Sequence, residues 1–319
     1  MVDVVPLDQN EPRPGDPVSA FGAALLAGAE RAEFVWRNDD GGFTFRLWPG
    51  GDYLTWVPRG QRNRLEAARE RSAWVHRYVA VPHFSRIRPG LGGWWVRSAS
   101  LPGDSALSPR WSSQSDVAVR AIATGLHRLH DDAPVASCPF VVDRVTLFER
   151  CLASVRRGGD WRDAPDDYLY GVSDERAIRL LEAARSMTPD LVVCHGDPCS
   201  PNTIIGDDGS FVGIVDIAEL GVIDRWADLA VAAWSVVWNY GSAWEALFYD
   251  EYGIAPNQDM IDTFRIVWNT GVAVQCLSLS REKGGTDGNL LGNEVEEIGD
   301  LGFVDRGDEP GLDVDLVGK

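Results

Sequence analysis

Lysine is nearly missing from this chain of 319 residues: Lys283 and Lys319 are the only two, both in or beside the C-terminal tail. Any side-chain cation in the folded body must therefore be arginine or histidine. Long apolar runs are missing too. No stretch of roughly 18 uncharged apolar residues occurs, so no segment reads as a membrane span. The opening MVDVVPLDQNEPRPGD lacks a basic region followed by an apolar one, so no signal peptide is expected. The cysteines Cys138, Cys151, Cys194, Cys199 and Cys276 are odd in number and show no C-x-x-C spacing. They read as free thiols of a cytoplasmic protein. No internal repeat is present.

What is present is a globular composition, 45 % apolar, long enough for two lobes with separate cores. The formal charge of −18 argues against nucleic acid and anionic membranes as partners and suits a small polycationic substrate. Part of that charge belongs to the tail: residues 281–319 hold eleven acids against four bases.

One stretch organises the rest, LVVCHGDPCSPNTIIGDDGSFVGIVDIAELGVIDRWAD from Leu191 to Asp228. The apolar run Leu191 to Cys194 breaks into a polar loop, His195 to Asn202. Two β-like runs follow, Thr203 to Ile205 and Phe211 to Ile217, joined by a turn-rich GDDGS. Asp216 stands inside the second, where a carboxylate is costly to bury unless it is paired or holds a metal. Asp197, Asn202 and Asp216 would converge at one end of a small hairpin. Phosphoryl transfer needs a carboxylate to accept the attacking hydroxyl's proton and oxygen ligands for magnesium on the nucleotide phosphates. His195-x-Asp197-x4-Asn202 has the spacing of a kinase catalytic loop, and Asp216 falls where the second magnesium ligand is expected. An Asp-rich turn on a structural hairpin is the bland alternative. A two-metal hydrolase lacks a second histidine cluster to complete its site.

VVCHGDPCSPN followed by VDIAELGVIDRWADLA resembles the aminoglycoside phosphotransferase family, most closely its 3'- and 3''-phosphotransferases. The resemblance implies an α+β, bilobal protein-kinase-like fold with a small β-rich N-lobe and a larger, mostly helical C-lobe. The N-lobe would span 1–101, the C-lobe 102–280, and 281–319 would be a disordered acidic tail. It further implies ATP (or GTP) and Mg2+ as cosubstrate and cofactor. Asp197 would be catalytic, Asn202 and Asp216 metal ligands, and His195 and Asp228 supports of the loop. The product would be an O-phosphorylated antibiotic; an inactive kinase-like ligand binder or a kinase for another small molecule are the alternatives.

In the N-terminal part, Phe34 to Arg37, Phe43 to Trp48 and Tyr53 to Val57 read as a β-meander. Gly41 and Gly42 lie in its first turn, where a kinase covers its nucleotide, although an ordinary hairpin turn reads the same way. The family's phosphate-binding lysine would fall at Thr55, and its glutamate partner at Ala68 on a helix from about Gln61 to Tyr78. Both are missing. An arginine would have to replace the lysine, Arg46 first and Arg59 next, with Glu66 or Glu70 as partner. The segment after Trp94-Trp95-Val96-Arg97 resembles a hinge, so Ser98 to Leu101, Ser98 and Ser100 among them, are candidates to hold the nucleotide base through main chain rather than side chain; a core strand with a surface turn is equally consistent.

Further helices are expected over Ser113–His130, Leu147–Arg156, Ser173–Arg185, Trp244–Tyr252 and Asp259–Gln275, with another after Asp224. His127 and His130, three apart, read as packing or capping near a helix end rather than as metal ligands. The acids at 160, 163, 166 and 167 read as a solvated loop or as substrate contacts. Where the family's last helix ends in acids for ring amines, this chain has Trp268-Asn269, which leaves the substrate-binding residues unknown.

Overall fold

The computed structural model describes residues 29, 31–38, 41–162, 168–271 and 276–278. Part of the acidic loop and the C-terminal tail lie outside these residues.

The chain begins as an antiparallel meander of β1 (Arg31–Arg37), β2 (Phe43–Trp48) and β3 (Tyr53–Pro58). Helix α1 (Arg62–Val75) follows, then β4 (Arg88–Gly90) and β5 (Gly93–Ser98). The five strands form one sheet in the order β1-β2-β3-β5-β4. Alternation of side chains across the pleat gives this sheet two different faces. Phe43, Phe45, Leu47, Leu54 and Trp56 form a small core on one face. On the other, Val57 and Val96 close over Leu65 of α1. This second face also carries Thr44 and Arg46, which pair across the ladder with Thr55 and Tyr53.

After β6 (Asp104–Ser105) the chain becomes mainly helical: α2 (Pro109–Ser112), α3 (Ser115–Asp132), β7 (Phe140–Val142), α4 (Arg144–Arg156) and α5 (Asp174–Ser186). Asp143 caps α4, accepting the Thr146 N–H at 3.1 Å, and Ser173 caps α5 through the Arg176 N–H at 3.3 Å. The central stretch follows as β8 (Leu191–Cys194), β9 (Thr203–Ile205), β10 (Phe211–Ile214) and β11 (Gly221–Asp224). It ends in α6 (Trp226–Tyr240), α7 (Glu245–Tyr252), α8 (Gln258–Asn269) and β12 (Cys276–Ser278). The main helical core includes Phe148, Trp161, Leu229, Trp234 and Phe248, all nearly inaccessible to solvent. Each such burial stabilises by about 1.5–3 kcal/mol. A further cluster joins Val75 at the end of α1 to Val193, Ile214, Ile217 and Leu220, so the strands around the central stretch pack against the sheet-side helix. No helix among the described residues is long and apolar enough to cross a membrane.

Two expectations need correction, and one strand was not anticipated. The strand from Phe211 ends at Ile214, because Asp216 adopts a left-handed backbone with φ 56° that no strand continues through. Gly221–Asp224 is a strand, pairing antiparallel with β8 over the full length of both. The last helix stops at Asn269, with Gly271 left-handed at φ 61°, and Cys276–Ser278 returns as a strand against β7.

Candidate active site

The loop that leaves β8 is held from beneath by Asp228, in the first turn of α6 and fully buried. Asp228 Oδ2 accepts the His195 N–H at 2.6 Å, and Oδ1 accepts the Gly196 N–H at 3.1 Å. His130 Nε2 adds a third donor at 3.0 Å. Three donors on one carboxylate offset the cost of burying it. The other ring nitrogen, Nδ1, stands 2.7 Å from the Tyr252 hydroxyl. That hydroxyl in turn accepts from Arg225 Nη1 at 3.2 Å, and Arg225 is anchored to Asp190. Burial pushes the Tyr252 hydroxyl up to about 12, so it remains a neutral donor. His130, Cys194 and Asp228 bring ligand atoms within 4.8 Å of one another, but the ring nitrogens and the carboxylate oxygens are already bonded within the protein. The group is a support for the loop, not a metal centre.

The loop is also fixed from its other side. The Asp197 N–H donates to His195 Nδ1 at 3.2 Å, and the buried His195 ring holds the turn. Gly196 has φ 88°, and a Cβ there would lie 2.4 Å from the Glu219 carbonyl oxygen, so glycine is required by both conformation and space. The Ser200 N–H donates to Ser235 Oγ on α6 at 2.9 Å. Asn202 Nδ2 donates to the Asp197 carbonyl at 2.9 Å, while its own carbonyl accepts the Val215 N–H at 2.9 Å. That second bond brings Asn202 next to Asp216.

The structure therefore brings Asp197, Asn202 and Asp216 together. Asp197 Oδ1 is buried without a hydrogen-bond partner. Asp216 keeps an open surface, yet protein atoms crowd around its carboxylate. The resulting desolvation, with the Asp197 charge nearby, pushes the Asp216 carboxyl up, against the favourable charge of Arg64. Burial likewise raises Glu219, opposed by Arg71 and Arg64. Burial and the Asp197 charge keep Cys199 a neutral thiol, which removes it as a nucleophile. Crowded carboxylates and a carboxamide are oxygen donors that suit a hard divalent cation.

The sequence profile of the phosphotransferase enzyme family matches residues 24–265. The chain belongs to that family. It is 30 % identical over 247 residues to the streptomycin 3''-kinase of Streptomyces griseus, covering 71 % of this chain and 87 % of that one. It is also 30 % identical over 232 residues to an aminoglycoside 3'-phosphotransferase of Streptomyces fradiae, covering 68 % and 85 %. The solved structure of aminoglycoside phosphotransferase APH(3'')-Id from Streptomyces rimosus superposes with a TM-score of 0.62 at 27 % identity, over 79 % of this chain and 98 % of that one. That enzyme has also been solved in complex with ADP and streptomycin. The protein-kinase-like fold expected from the sequence is thereby shown.

In this phosphotransferase the nucleotide-side candidates are placed less tightly than the loop. The Gly41 N–H donates to the Asn38 carbonyl at 2.9 Å and the Gly42 N–H to Asn38 Oδ1 at 2.5 Å, so both amides are used within their own turn. Arg46 shares the α1-facing side of the sheet with Thr55, stacks on Trp48 at 4.6 Å and leaves Nε buried without a partner. Thr55 is engaged with Thr44, oxygen to oxygen at 3.3 Å. Ser98 is buried at the end of β5, between Tyr53 and an isolated bridge to Phe84, while Ser100 is exposed just beyond. Near the end of α8, Asn269 Nδ2 is bonded to the Trp161 carbonyl at 3.0 Å. Asp262, in the same helix, accepts from Tyr168 and Arg176.

Sequence reasoning missed Tyr252, Ser235 and the arginines of α1, and read His130 as packing or capping where it bonds Asp228. Only His130 left a signal, a polar ring on the apolar side of an amphipathic helix.

Proposed function

We propose that this phosphotransferase uses ATP to phosphorylate a 3'- or 3''-hydroxyl of an aminoglycoside, with streptomycin the first substrate to test. The observation that carries this reading is the Asp197 loop, tied by its own amides to a buried Asp228 and facing Asn202 and Asp216. Asp197 accepts the proton as the substrate oxygen attacks the γ-phosphorus; the bond from that phosphorus to the bridging oxygen breaks, and ADP leaves. Asn202 and Asp216 would hold magnesium, which neutralises negative charge on the phosphates. Asp228, His195 and Gly196 keep the carboxylate in place, so little reorganisation is needed at the moment of reaction.

The reading carries the remaining expectations with it. The nucleotide lies against the sheet between the Gly41–Gly42 turn, Arg46 and the chain around Ser98 and Ser100. Residue 101 ends the nucleotide-binding lobe, and the enzyme works in the cytoplasm, where ATP is supplied. The acidic helical part receives a polycationic small molecule, as the two aminoglycoside kinases above do by name. Thr55 and Ala68 favour a second reading, a kinase-like protein that binds ligand without turnover. Purified full-length protein, MgATP and a panel of aminoglycosides separate the two: phosphorylated product and ADP in equal amounts support the kinase. Product with no member of the panel and no calorimetric signal at millimolar MgATP would support the other.

A further inference from the structure

Thr55 is too short to reach a phosphate, and the body of the chain contains no lysine to replace it. Helix α1 supplies another cation. Arg64 and Arg71 are two helical turns apart and share a face. Arg71 is 6 % exposed, donates Nε to the Leu220 carbonyl at 2.8 Å, and lies over the Phe140 ring at 4.6 Å. That bond fixes which face of α1 looks at the segment following Asp216. Arg64 is half-buried on the same face, and its charge acts on both Asp216 and Glu219. Between the two arginines stands Ala68, a small residue.

Resting on the kinase reading above, we propose that Arg64 is the cation that binds the nucleotide phosphates, and that Glu219 aims it. The acid and base of the clamp have thus changed places: the helix carries the guanidinium, and the segment after the metal ligand carries the carboxylate. A guanidinium has five N–H donors in a planar fork, enough to bond Glu219 on one edge and phosphate oxygens on the other. Arg46, across on the sheet, is the competing candidate.

The test is calorimetric titration of the full chain with MgADP, with thermal melting measured on every variant. Arg64→Ala is expected to weaken binding about ten- to a hundredfold, Arg64→Gln similarly, Arg64→Lys less, and Glu219→Gln by an intermediate factor. Arg69→Ala, exposed elsewhere on α1, should bind as the parent does. Unchanged affinity in Arg64→Gln with an unchanged melting temperature overturns the assignment. So does equal weakening by Arg64→Lys and Arg64→Gln, accompanied in both by lost thermal stability, which marks a structural role. If the parent chain itself binds no MgADP or MgATP, it is the kinase reading that fails.

Discussion

The sheet-rich and helical parts of this phosphotransferase carry opposite charge. Residues 29–101 hold twelve arginines against seven acids, whereas residues 102–280 hold thirteen arginines against twenty-six acids. The whole-chain value of −18 conceals this division. In the reading proposed here it matches the reaction, since a nucleotide brings negative phosphates to one side and an aminoglycoside brings ammonium groups to the other. The parts differ equally in how firmly they hold their functional groups. Asp228 has three donors and no solvent exposure. On the sheet, Arg46 is stacked on Trp48 with one buried nitrogen unpaired. Asp228 is thus fully bonded within the protein, while Arg46 keeps one buried nitrogen without a partner.

The largest effect is expected where the rigid side meets substrate. Asp197→Asn should lower kcat by about 10²- to 10⁴-fold and leave MgADP affinity close to that of the parent; a variant that keeps full turnover removes Asp197 from the mechanism. Next comes the support beneath it. His130→Ala strips one donor from Asp228 and should cost about 1–3 kcal/mol of stability by urea unfolding, whereas Tyr252→Phe should cost about 1 kcal/mol. Both should lower kcat more than they raise the nucleotide KM. The reverse pattern would show that the network serves the nucleotide rather than the loop.

A smaller effect tests the crowding of carboxylates. Asp216 is pushed up by burial and by Asp197, so the folded state holds its proton more tightly than the unfolded chain does. The associated penalty is absent below the ordinary carboxylate range and grows as pH rises through the raised native value. Asp216→Asn should therefore melt above the parent at neutral pH, the gap closing on acidification, and magnesium should narrow it by stabilising the parent alone. A variant that melts below the parent at neutral pH contradicts this. The smallest effect is assigned to the sheet: Arg46→Ala should raise the nucleotide KM by only a few-fold, about 1 kcal/mol. A loss larger than that from Arg64→Ala would move the phosphate-binding role from the helix to the sheet.

The two parts also differed in how readable they were. Asp197, Asn202, Asp216 and Asp228 lie within one stretch, and local spacing was enough to bring them together. The groups that complete the site come from far away in the chain: His130 from α3, Tyr252 from α7, and Arg71 bonded to Leu220 across the fold. No periodicity announces a contact of that kind. Helix α8 was read too long because Val272 and Val274 continue an apolar rhythm, while the left-handed Gly271 that follows the helix is a backbone property. The strand through Asp216 was read too long for a related reason, since an isolated φ of 56° leaves no mark in a run of Val and Ile.

The central claim is that the Asp197 loop transfers phosphate from ATP to an aminoglycoside hydroxyl. Incubating the full chain with MgATP and streptomycin, and following both ADP release and the mass of the antibiotic, tests it most directly. The account predicts one phosphate on streptomycin for each ADP formed, and neither product with Asp197→Asn. Streptomycin of unchanged mass beside intact ATP, from protein that binds both ligands, would contradict it.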